Sequence, residues 1–121
     1  MIAKDLKDYL QSNVKEFDYF YDNFRDEKKQ KSILVIADDR TPLVGSFTNI
    51  ENIKFTLKLA YTESSSQSEA AALAVRDFLL KKGAAINNNR FYISNMRGPV
   101  WIGKNQAGNF EYIIDFTAIK Y

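Results

Sequence analysis

The chain has 121 residues, with 17 basic against 15 acidic side chains and neither cysteine nor histidine. A net charge of +2 is too balanced for the electrostatic footprint of a nucleic-acid-binding domain, and no sequence-specific nucleic-acid partner is expected. Without cysteine there are no disulfides, thiolate metal sites or thiol catalysis; without histidine there is no Ser-His-Asp arrangement and no H-E-x-x-H zinc motif.

A chain of this length fits one domain, residues 1–121, and buries roughly two thirds of the surface it exposes when unfolded. Nine Phe, seven Tyr and one Trp are many for so small a core, so some are expected at a surface that another chain covers. Charges at Lys4, Asp5, Lys7 and Asp8 come too early for a signal peptide, and no run approaches about 18 uninterrupted apolar residues. The expectation is a chain neither exported by a cleaved signal nor threaded through a membrane.

In the first segment Ile2, Leu6, Tyr9 and Leu10 fall within about a 100° stripe at the helical period, which predicts an amphipathic helix with one buried face. Residues 17–21 are aromatic enough for a short strand. Residues 25–31 set Arg25, Lys28, Lys29 and Lys31 against Asp26 and Glu27 with no apolar side chain, the composition of an exposed turn or mobile loop. Residues 32–37 are a continuous β-branched and aliphatic run, the pattern of a central strand buried on both faces. A loop over residues 38–49 follows, carrying Asp38, Asp39, Pro42 and Gly45. Then Ile53, Phe55, Leu57, Leu59 and Tyr61 alternate with polar residues, as in an antiparallel strand with one wet face.

Ser66 and Glu69 have capping-box spacing, Gly83 sits where a glycine ends a helix, and Lys81 and Lys82 complement its dipole, so residues 67–82 are expected to be helical. The main face is Ala71, Val75, Phe78 and Leu79. Leu73 and Leu80 point to the other side beside Glu69 and Arg76, either to wedge the helix between the sheet and the first helix or to face a neighbouring subunit. Residues 91–96 can form a strand that Gly98-Pro99 breaks and residues 100–102 resume. After the turn at 103–109, Phe110, Tyr112, Ile114 and Phe116 share one face of a last strand. Residues 50–62 and 109–121 each approach strands on the order of 40 Å long, more than a small core covers. Their ends should form an arm, bend at a bulge or pair with another chain. The fold expected is α+β: two helices packed on a mostly antiparallel sheet of four to five strands.

Chemistry-bearing candidates are few. Asp38 and Asp39 follow a strand where a hard cation could use their oxygens, yet adjacent carboxylates before Arg40 read more simply as a solvated turn, and no metal or cofactor is expected. Residues 103–108 lack the G-K-[S/T] ending of a phosphate loop and precede a strand, so they read as a hairpin turn. The cluster Ser64, Ser65, Ser66 and Ser68 has no base for a nucleophile and is explained by helix capping. Trp101, beside the Gly-Pro break, suits either the core or an interface anchor.

The order of elements, the helix after the long alternating strand, and the ending Gly98-Pro99-Val100-Trp101-Ile102-Gly103 with Phe110-Glu111-Tyr112-Ile113-Ile114-Asp115-Phe116 resemble the tail terminator and minor capsid proteins of long-tailed phages. The resemblance is one of layout over nearly the whole chain. It implies a non-enzymatic virion protein, made in the host cytoplasm, whose subunits form a hexameric ring on the head-proximal end of the tail tube. Such a ring stops tube growth and presents a surface to the head–tail connector. It brings no catalytic residues to carry over. Two unlike patches per subunit are required for a ring, and the candidates are Leu73, Arg76 and Leu80 on the helix and Trp101 with Phe110 on the hairpin. Arg25, Lys28, Lys29 and Lys31 are candidates for contact with tube or connector. The competing expectations are a small ligand-binding or metal-dependent enzyme domain and a monomeric module that binds through a sheet edge.

Overall fold

The alternation centred on Leu57 produces a strand, β3 (Asn52–Ala60), whose Ile53, Phe55, Leu57 and Leu59 are all buried on one face. In the computed structural model, which describes residues 3–23, 25–26, 28–38, 52–81, 84–86 and 89–120, β3 lies between β2 (Ser32–Asp38) and β6 (Phe110–Lys120) and is antiparallel to both. Register places Ile33, Leu59 and Tyr112 in one row, Val35, Leu57 and Ile114 in the next, and Ala37, Phe55 and Phe116 in a third. The rings of Phe55 and Phe116 sit 5.7 Å apart at the centre of that layer.

Outward from this core, β5 (Asn89–Lys104) and β4 (Ala84–Ile86) extend the sheet beyond β6, and β1 (Tyr19–Tyr21) extends it beyond β2. The order is β1-β2-β3-β6-β5-β4, with only the β1–β2 pair parallel. The fold is therefore α+β with a mostly antiparallel sheet. Its strands number six because a three-residue strand joins each edge.

Both helices cover the same face of the sheet. α1 (Ala3–Asn13) buries Leu6 and Leu10, one turn apart, while Ile2 lies outside the described residues. α2 (Ser65–Lys81) buries Ala71, Ala72, Val75 and Leu79, and its Phe78 reaches Tyr9 of α1 with ring centroids 5.6 Å apart. The cap of α2 is Ser64, not Ser66: the Ser64 hydroxyl accepts from the Gln67 N–H at 3.4 Å, and the Ser68 hydroxyl donates to the Ser64 carbonyl at 2.7 Å. The helix thus starts two residues earlier than the S-x-x-E spacing indicates, which puts Ser66 inside the first turn. Lys82, Gly83 and most of the 38–49 loop, including Asp39, lie outside the described residues.

With both helices on one side, β2 does not have two buried faces. Ile33 and Val35 are buried under the helices, but Leu34 is half-buried and Ile36 is exposed on the open face. The Gly98-Pro99 step does not end its strand either. β5 runs on through register shifts at Ser94/Arg97, Arg97/Val100 and Trp101/Gly103, with left-handed backbone at Asn95, Gly98 and Gly103. The extra residues at these shifts lie in β5; of the two segments expected to outrun the core, β3 has nine residues and β6 is paired with it without a shift from Glu111 to Ile119. Gly98 has a further constraint, since a Cβ there would drive into the Ile113 carbonyl oxygen of the neighbouring strand.

The charged segment after β1 docks on the sheet. The Arg25 guanidinium meets the Glu111 carboxylate at 2.7 Å with both side chains largely buried. The Lys31 N–H donates to the Tyr61 carbonyl at 2.9 Å, and the Gln30 amide donates to the Asn109 side-chain oxygen at 3.2 Å. Lys28, Lys29 and Gln30 are exposed, as composition suggested, while Arg25 and Lys31 are held by partners from two other segments.

Chemical denaturation of two glycine variants should separate local strain from collision. Gly98→Ala is expected to cost about 3 kcal/mol or more, because it adds a backbone clash to a left-handed conformation, whereas Gly108→Ala, with open space at its Cβ, should cost only about 1 kcal/mol. Arg25→Ala should lower stability by about 3 kcal/mol by leaving Glu111 uncompensated, and Glu111→Gln in the same background should recover most of that loss.

Candidate subunit interface

On α2, Glu69, Leu73, Arg76 and Leu80 follow one another at four-, three- and four-residue steps, so they form one line along the helix. That line lies well away from the buried face. Leu73 is half-buried, Arg76 is half-buried with its guanidinium on the Asp77 carboxylate at 2.9 Å, and Leu80 is 51% exposed. Leu80 does not wedge against α1. Phe78, about 160° around the helix from Leu80, makes that contact instead.

The hairpin of β5 and β6 supplies the second surface. Val100 and Trp101 are neighbours on an extended strand and point to opposite faces, and both are more than half exposed. Trp101 is opposite Tyr112 in the register and on the helix side of the sheet. Its ring lies 6.2 Å from that of Phe110, tilted by 36°, and the Lys104 ammonium stands 4.9 Å from the Phe110 ring centroid. Ser65 and Glu69 from the first turns of α2 line a shallow, open hollow of about 390 Å³ with Pro99, Trp101, Phe110 and Tyr112. Burial pushes the Tyr112 phenol up from its ordinary pKa, and the Glu69 carboxylate adds in the same direction; the phenol is neutral at neutral pH with or without that shift.

The fold therefore brings Trp101 and Phe110 together and places the line from Glu69 to Leu80 as a path leading away from them. Lys104 was legible only as a turn residue. Its role beside Phe110 depends on the hairpin closing over Asn105, whose side-chain oxygen accepts the N–H groups of Ala107 and Asn109. Phe78, expected on the core face, packs against the core and Tyr9, and Ala74, Asp77, Leu80 and Lys81 beside it form the outward surface of α2.

Among the four basic candidates of the 25–31 segment, Arg25 is committed to Glu111 inside the fold. Lys28 is exposed, Lys29 stands 5.1 Å from the Tyr19 ring centroid and Lys31 stands 5.5 Å from that of Tyr61. Asp38 ends β2, and Asp39 is outside the described residues. Among the described residues no three Asp or Glu side chains gather as a cation site, and no helix is long and apolar enough to cross a membrane. No protein-family model matches the chain, and no curated protein matches it significantly.

Two variants test whether these patches belong to the fold or to an interface. Trp101→Ala and Leu80→Asp should each retain native circular dichroism and lose less than about 1 kcal/mol of monomer stability, because both side chains are more than half exposed, against about 3 to 5 kcal/mol for a buried Trp. Light scattering of the same samples should show loss of self-association.

Proposed function

We infer that this chain is a structural subunit of a homo-oligomeric ring that caps the head-proximal end of a phage tail tube, ends tube polymerisation and joins the tail to the head–tail connector. The observation that carries the assembly function is the pair of unlike exposed apolar surfaces, Trp101 with Phe110 on the hairpin and Leu80 with its neighbours at the far end of α2. A closed ring needs two different patches per subunit, whereas a two-fold dimer needs one self-complementary patch. The resemblance of the Gly98–Gly103 and Phe110–Phe116 segments to tail terminators supplies the tube as partner.

The outer edge of β5 argues for side-chain patches over strand addition as the mode of assembly. Beyond Phe91 that edge has no described neighbour, but Pro99 removes a donor and left-handed residues at 95, 98 and 103 kink it. Such an edge is a poor template for an added strand. Strand addition at this edge is accordingly the weaker alternative.

The direct test adds the purified chain to polymerising tail tube protein. Tubes should stop elongating and carry a ring at one end, and native mass spectrometry of the assembled fraction should give one closed stoichiometry, six. A tube length distribution unchanged by the chain would overturn the function.

A further inference from the structure

The hollow between the first turns of α2 and the β5–β6 hairpin sets an exposed indole beside an exposed carboxylate. Trp101, 57% exposed, rests against Phe110 with ring centroids 6.2 Å apart, which leaves much of the indole open to solvent. Glu69 lines the same hollow with Ser65 and Tyr112. It is exposed, and among the described residues its carboxylate has neither a hydrogen bond nor an ion pair.

We propose that this hollow receives an arginine side chain of a partner protein, its guanidinium stacked on Trp101 and its N–H groups directed at Glu69. The proposal rests on the inference above that the hairpin is a contact surface, and it names the chemistry of what that surface holds.

Each other occupant meets a penalty here. An acidic side chain is repelled by Glu69, and an apolar one takes water from that carboxylate and returns no donor. A lysine ammonium keeps its strong hydration over an open platform. A guanidinium is flat and weakly hydrated, and it stacks on an aromatic face while its in-plane N–H groups bond a carboxylate. It carries five such donors, for which the Ser65 hydroxyl and the Tyr112 phenol offer further acceptors.

The neighbouring charges leave Glu69 available. Arg76, about two turns along α2, is held by Asp77 through two hydrogen bonds. Lys104 lies over the Phe110 ring, 4.9 Å from its centroid, and is the one described cation at the hairpin that opposes an incoming guanidinium. The hollow is shallow and open, so it suits one side chain of a larger partner; a free small molecule needs most of its surface enclosed.

Trp101 is the only tryptophan of the chain, so its emission reads the hollow directly. Titration with N-acetyl-arginine amide should change that emission along a saturating curve, with a dissociation constant on the order of millimolar, as one side chain supplies. N-acetyl-citrulline amide, of similar shape without the charge, should bind at least about fivefold more weakly, and N-acetyl-lysine amide at least about threefold more weakly. Glu69→Gln should weaken the arginine probe about fivefold with circular dichroism unchanged, and Lys104→Met should strengthen it about twofold. A change that stays linear in probe concentration, equal affinity for the arginine and citrulline probes, or undiminished affinity in Glu69→Gln overturns the proposal. So does tighter binding of N-acetyl-leucine amide, which marks an apolar socket.

Assembly is read apart from this by light scattering. A hollow that binds the arginine probe in a chain that never assembles, alone or on tail tubes, keeps the site and removes the ring. A chain that closes rings while its hollow takes no arginine keeps the ring and removes the site.

Discussion

The structure depends on the antiparallel pairing of β3 with β6. Nine consecutive register pairs align the apolar face of one strand with that of the other, so Ile53, Phe55, Leu57 and Leu59 meet Ala118, Phe116, Ile114 and Tyr112. A slip of one residue would turn every one of these side chains to the open face, which is why the register is strongly specified. The two strands are far apart in the chain, and α2, β4 and β5 all lie between them. Joining them sets α2 over one face while β5 and β4 extend the sheet beside β6, and the helices bury Leu6, Leu10, Val75 and Leu79 on the layer the pair creates.

A second constraint follows from putting both helices on one side. The opposite face is left to water, and its ends are managed differently. At the Ser32, Ala60 and Glu111 row Arg25 reaches the sheet and neutralises Glu111 in a largely buried pair. Such a pair contributes little net stability but strongly penalises any arrangement that separates its members, so it selects one position for the loop. Further along, Thr56 donates to Asp115 at 2.6 Å across the strands, while Ile36 and Val100 remain exposed.

The candidate assembly surfaces arise from the way α2 is seated. Small residues, Ala71 and Ala72, let the helix sit close to the sheet, and Phe78 ties one flank to α1. On the other flank Leu73 and Arg76 are half-buried and Leu80 is exposed. Because the hairpin of β5 and β6 ends beside the first turn of α2, the aromatic cluster lies at one end of that flank and exposed Leu80 at the other.

Periodicity in the sequence was sufficient for the helices, the alternating face of β3 and the terminal hairpin, because each is a local repeat that reports one buried side. It also marked Leu80 as lying off the main face of α2. Periodicity was silent on which side of the sheet receives the helices, so the uniformly apolar run of β2 suggested two covered faces when one is open. The serine cluster identified a cap but not which serine, since Ser64 is selected by hydrogen bonds to Gln67 and Ser68 once the chain has turned after β3. Proline and glycine at 98–99 signalled irregularity correctly, yet only the neighbouring β6 decides that the irregularity is a bulge within one strand and not the end of it. Arg25 with Glu111, and Trp101 beside Glu69, are meetings of residues distant in sequence. Charge and aromatic content do not encode such partners locally; they are chosen when the sheet register and the seating of α2 bring the segments together.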